Sequence, residues 1–176
     1  ADACYQKNGS YLAHVGTIDE ARDMDVLRAA LGDKKLTYYG ASYGTYLGAK
    51  YAELFPTHIR AMVLDGAVNP DESSTAANLV QAKGFETDLA DFLAACVGSG
   101  SCPIGSHDSA AMSGLDALIA QITAHPLDSN GRVVGAGEFF EGLAGGLYST
   151  AAWPQLQSAL GAAKDGNAAG ILLFAD

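Results

Sequence analysis

Residues 36–44, Leu-Thr-Tyr-Tyr-Gly-Ala-Ser-Tyr-Gly, pass from a β-type run into a G-x-S-x-G turn and then into helical periodicity. A serine at the apex of a tight strand-to-helix turn sits on strained backbone. Side chains two positions to either side would collide with the flanking strand and helix, and Gly40 and Gly44 remove those Cβ atoms around Ser42. The following helix aims its free N–H groups and partial positive charge at the same point. The pattern is that of a nucleophile elbow. Ser42 is the candidate nucleophile, and the backbone N–H of Tyr43 is the candidate first donor to an oxyanion.

The flanks supply the context such a turn needs. Thr17 and Glu20 read as a capping box, and Ile18, Ala21, Met24, Leu27, Ala30 and Leu31 follow as one apolar stripe that Gly32 stops. Residues 36–39 form a short strand. Tyr46, Leu47, Ala49, Tyr51 and Leu54 continue a helix from Ser42, with Gly48 allowing close packing, until Phe55-Pro56 ends it. Residues 59–64 make a second short apolar strand closed by Asp65-Gly66. This αβαβ rhythm belongs to a parallel sheet covered on both faces. It stops near Val68. Beyond the polar breaker at residues 69–74, stretches 79–95, 112–122, 137–147 and 153–163 are helical in pattern, with a brief extended piece at 132–134.

The expected organisation is therefore an α/β core over residues 1–68 and a mostly helical subdomain over 69–176. At 49% hydrophobic and 17% charged, the chain carries enough apolar residues for a sizeable core. Its formal charge of −10 disfavours nucleic acid, which needs clustered Lys and Arg. No run approaches the roughly 18 apolar residues of a membrane span, and the first residues show no signal-peptide pattern. Cys96 and Cys102 bracket a polar loop and form either a disulfide or half of a metal site. No second Cys or His pair stands at zinc-ligand spacing, which favours the disulfide, no metal and an oxidising compartment. Cys4 is left without an evident partner.

A serine nucleophile needs a base, an acid to orient that base, and an oxyanion hole. His58 falls in the turn at the opposite end of the strands from Ser42 and reads as a solvated loop residue. His107 and His125 read as surface residues of the helical part. Asp65 stands at the carboxyl end of the strand beside the elbow and reads first as a turn-former. None of these is a convincing partner for Ser42.

Residues 17–70 resemble the bacterial exported tripeptidyl aminopeptidases of the prolyl-aminopeptidase group of α/β-hydrolases. The resemblance rests on DEARDMDVLRAALG, YYGASYGTYLGAKYAELFP and VLDGAVNP. Residues 93–103, 147–160 and 171–176 are similar to that family's helical cap. The resemblance implies a partial α/β-hydrolase core followed by a cap truncated at its C-terminal end. It implies a secreted serine exopeptidase acting on peptides through an acyl-enzyme on Ser42, with no cofactor. The family's catalytic Asp, His and upstream Gly-rich loop have no counterpart in these residues. The isolated chain is accordingly expected to be inactive and to pair with the missing segments of its own fold. Glu138 and Glu141 are candidates for binding the substrate amine, or simply an exposed helical face. A carboxylic-ester hydrolase of the same fold and a non-catalytic interaction module are the competing readings.

Overall fold

The computed structural model describes residues 2–176. They form two compact units, one ending at Asn78 and one running from Leu79 to Asp176. The first begins with α1 (Asp2–Asn8) and a 3-10 turn (Gly9–His14). It continues through α2 (Thr17–Ala30), β1 (Leu36–Ala41), α3 (Tyr43–Leu54), a second 3-10 turn (Pro56–His58) and β2 (Ile59–Asp65). β1 and β2 pair in parallel, and α3 is the crossover such a pair requires. Gly32, at φ +77, ends α2 as its position in the sequence suggests; its N–H bonds to the Ala29 carbonyl and that of Asp33 to the Arg28 carbonyl.

The start of α2 differs from the expected capping box. Gly16 is the N-cap, without a side-chain cap, and Thr17 is the first helical residue. The Thr17 and Glu20 side chains are instead hydrogen-bonded to the Tyr43 hydroxyl. The apolar stripe of α2 is likewise divided. Ala21 is fully buried and Met24 packs beside Leu47 and Tyr51 of α3, whereas Leu27 and Leu31 are 60% and 72% exposed.

The strand register carries one irregularity. Leu36 pairs with Ile59 but Thr37 pairs with Ala61, so Arg60 is an extra residue on β2. From there the pairing is regular and ends with Gly40 opposite Leu64 and Ala41 opposite Asp65.

In the second unit, most of α4 (Ser74–Gly98) is followed by α5 (Asp108–Ala124), the hairpin of β3 (Leu127–Ser129) and β4 (Arg132–Val134), α6 (Ala136–Leu147), α7 (Trp153–Lys164) and α8 (Ala169–Ala175). Asn130 and Gly131 both have positive φ, 55° and 85°, as a two-residue hairpin of matching twist demands. The core is continuous: Phe92 and Leu93 of α4, Leu115, Leu118 and Ile122 of α5, Phe139 and Leu143 of α6, Leu156 and Leu160 of α7 and Ile171 of α8 are all buried. Cys96 and Cys102 are joined in a disulfide, and Cys4 is free and exposed. Gln157 of α7 donates to the Ser101 carbonyl at 3.1 Å and so fastens the disulfide loop to the helix layer. Among the described residues no helix is long and apolar enough to cross a membrane.

Candidate active site

β1 delivers the chain to Ser42, and α3 takes it away. Between them Ser42 has φ 52° and ψ −120°, a conformation rare for a residue with a Cβ. Such backbone persists only where its surroundings fix it, and here both of its polar atoms are held. The Ser42 N–H donates to the Asp65 carbonyl at the end of β2, 2.9 Å away. The Ser42 carbonyl accepts the Thr45 N–H at 2.9 Å and the Thr45 hydroxyl at 2.7 Å. The residue as a whole is exposed, and among the described residues its hydroxyl makes no hydrogen bond. The Tyr43 N–H opens α3, so helix geometry provides no carbonyl for it.

Tyr38 fills the space beneath this turn. Its hydroxyl donates to the Gly44 carbonyl at 2.7 Å. Its Cε1 would lie 2.6 Å from a Cβ on Gly40 and 2.7 Å from one on Gly48. The need for glycine at 40 comes first from the Gly44 carbonyl in the first turn of α3 and then from the Tyr38 ring, and at 48 from the same ring together with Leu64. Burial raises the Tyr38 pKa above the ordinary phenol value, with the nearby Glu20 and Tyr43 adding to it. On the other side of this turn, the Tyr43 hydroxyl lies 2.7 Å from Thr17 Oγ1 and donates to Glu20 Oε2 at 3.3 Å.

Asp65 acts at this turn through its backbone and its side chain. Its carbonyl holds Ser42, its Oδ2 accepts the Tyr39 hydroxyl at 3.1 Å, and Gly66 follows at φ +67. The Asp65 carboxylate in turn raises the pKa of Tyr39.

His58 is more than a solvated loop residue. Its Nδ1 lies 2.8 Å from Asp25 Oδ1, and the same oxygen accepts Arg28 Nε at 2.7 Å and the Tyr51 hydroxyl at 2.9 Å. Its ring stacks on Phe55. The Arg28 guanidinium holds the Asp25 carboxyl well below the usual carboxylate range, and His58 and Tyr51 reinforce it against the opposing effect of burial. Because the strands are parallel, this cluster at the start of β2 lies at the end of the pair away from Ser42. It ties α2, α3 and the turn before β2 together.

His107 and His125 are exposed, at the N- and C-caps of α5. His14 is exposed and lies 4.0 Å from Asp19. Glu138 accepts the Gly135 N–H at 3.0 Å, which commits its carboxylate to the start of α6; its own backbone N–H and then that of Gly135 lower its pKa. Glu141 is exposed. Among the described residues no group of three His, Cys, Asp or Glu side chains is placed to hold a metal ion. Tyr38 and Thr45 escaped the sequence reading. A tyrosine two residues before an elbow glycine reads only as a strand residue, and a threonine in a first helical turn reads as ordinary.

Residues 4–159 match the family described as alpha/beta hydrolase fold. The chain is 38% identical over 182 residues to serine protease Hip1 of Mycobacterium tuberculosis, an alignment covering 98% of this chain and 35% of that protein. It is 40% identical over 175 residues to carboxylesterase B of Mycobacterium tuberculosis, covering 98% of this chain and 34% of that protein. With tripeptidyl aminopeptidase of Streptomyces lividans the identity is 52% over 100 residues, or 54% of this chain and 19% of that protein. The chain spans about a third of the length of the relatives it matches from end to end.

Proposed function

The chain belongs to the alpha/beta-hydrolase family, and from that premise we propose that it is the nucleophile-bearing part of a serine peptidase that removes short peptides from N-termini. The observation that carries this reading is the exposed Ser42 at φ 52° between a parallel strand and a helix N-terminus. Ser42 Oγ attacks the scissile carbonyl carbon while a base takes its proton. The oxyanion forms against the Tyr43 N–H, the C–N bond breaks, and the amine leaves with that proton. Water then attacks the acyl-serine ester, releasing the short peptide acid and restoring the hydroxyl.

The base and its orienting acid are assigned to parts of the fold outside these 176 residues. Two observations support that assignment: His58 is committed to Asp25 at the far end of the strands, and the full-length relatives are about three times as long. The helical second unit is assigned to the cap of such a hydrolase, with Glu141 the freer of the two candidate amine ligands because Glu138 caps α6. Export to an oxidising compartment is inferred from the Cys96–Cys102 disulfide.

The decisive experiment is labelling by a fluorophosphonate probe followed by peptide mapping. The complete protein carrying this chain should be labelled at Ser42, Ser42→Ala should abolish it, and residues 1–176 alone should label at least a thousandfold more slowly, roughly the loss expected without a triad base. Labelling elsewhere, or fast labelling of the isolated chain, would sink the assignment. A carboxylic-ester substrate is the second reading, favoured by the end-to-end match to carboxylesterase B. Comparing kcat/KM on tripeptidyl amides and short acyl esters decides between them.

A further inference from the structure

We propose that Thr45 is a positioning residue for the oxyanion hole, acting through the peptide that joins Ser42 to Tyr43. The inference rests on Ser42 being the nucleophile. Thr45 is 1% exposed, a polar side chain buried among otherwise apolar core residues. Both hydrogen-bonding capacities of its hydroxyl are used. It donates to the Ser42 carbonyl at 2.7 Å and accepts the Val68 N–H at 2.8 Å.

A threonine hydroxyl bonded to a carbonyl one turn back is common in helices and by itself signifies little. Three features separate this one. The Ser42 carbonyl already accepts the Thr45 N–H at 2.9 Å, so the hydroxyl is not needed to satisfy it. The bond lies on the residue with the most strained backbone in the first unit outside glycine, Ser42 at φ 52°. The hydroxyl is itself anchored by Val68, in the segment leaving β2, so it cannot rotate away without stranding that N–H.

The consequence follows from peptide planarity. The Ser42 C=O and the Tyr43 N–H belong to one trans peptide and point in opposite directions. Fixing the oxygen in two hydrogen bonds fixes the direction of the N–H on the other face. Donation to the carbonyl also polarises the amide, making its N–H a stronger donor to developing negative charge. Thr45 does not touch substrate; it orients and strengthens the group that does. Such an effect is felt where the oxyanion exists, in the transition state, and scarcely in the ground-state complex.

The test uses the complete protein carrying this chain, with rates normalised to sites titrated by a fluorophosphonate. Thr45→Val keeps the shape and removes both hydroxyl bonds. It should lower kcat per titrated site roughly 10- to 100-fold, less than the ~10²–10³ for deleting a donor outright, and leave KM within about twofold. Affinity for a peptidyl boronate should fall in proportion to kcat/KM while that for a product peptide is unchanged. Thr45→Ser restores the hydroxyl and should return kcat to within about threefold of wild type.

A Thr45→Val kcat within threefold of wild type overturns the proposal, as does a loss confined to KM or a Thr45→Ser variant equally slow. Should Thr45→Val not fold, Thr45→Ala is read against the same limits. If neither folds, the residue is a stability element and the proposal is wrong. Ser42→Ala retaining activity would instead sink the nucleophile assignment, an outcome distinct from any behaviour of the Thr45 variants.

Discussion

Tyr38 lies between β1 and α3, with its ring against two glycine Cα positions and its hydroxyl on the Gly44 carbonyl. A methyl group at 48 would meet Tyr38 Cε1 at 2.7 Å and Leu64 Cδ2 at 2.9 Å. Gly48→Ala should therefore destabilise the complete protein by about 1–3 kcal/mol, and Gly40→Ala by more because backbone is also in its way. Tyr38→Phe keeps the ring and loses only the hydrogen bond; its cost should be about 1 kcal/mol. Urea midpoints measure all three, and equal midpoints for Gly48→Ala and wild type would refute the packing account. The sequence named Gly40 and Gly44 and the expected collision with the flanking strand and helix, but not the tyrosine that forms part of the obstacle. A G-x-S-x-G pattern names the positions to keep clear, whereas the ring that occupies the space comes from a strand residue whose inward face only tertiary structure reveals.

At the scale of elements, the Asp25 carboxylate holds together α2, α3 and the turn before β2 by accepting from Arg28, Tyr51 and His58 on one oxygen. Its folded pKa is depressed, so the contribution is present above the unfolded carboxyl pKa of about 4 and is lost as pH falls towards the lower folded value. Wild type should lose stability more steeply than Asp25→Asn between pH 5 and pH 2 in urea titrations; parallel curves would contradict the linkage. Opening the Cys96–Cys102 disulfide, by reduction or by the double serine variant, should cost about 2 kcal/mol for so short a loop, read from the midpoint of the second unit's helical signal. The disulfide and the main helices followed from spacing and periodicity. The start of α2 did not. Thr17 and Glu20 have the residue types of a capping box, yet Tyr43, 26 and 23 residues further on, takes both side chains. A local rule cannot see a competitor that distant.

For the molecule as a whole, the first unit buries little and exposes much. Among the described residues its buried apolar cluster is Ala21, Leu47 and Tyr51, while Val26, Tyr39 and Val63 are 67%, 64% and 58% exposed. Residues 1–176 alone should bind a hydrophobic dye and self-associate with concentration in sedimentation, and the complete protein should do neither. A monomeric, non-binding chain would show that this surface needs no cover. The αβαβ order and the helical remainder could be read from the sequence because each is a local periodicity. How the two strands are aligned could not, because alignment is a relation between segments. That alignment has a consequence at Ser42. With Arg60 as an extra residue, β2 runs one step out of phase with β1, and this offset brings the Asp65 carbonyl to the Ser42 amide. The bulge works as a vernier at one end of the strand pair that sets the reading at the other. Were Arg60 drawn into the ladder opposite Thr37, the scale would shift by one division and Leu64 would stand opposite Ala41, taking the carbonyl away from the serine without altering a residue near it.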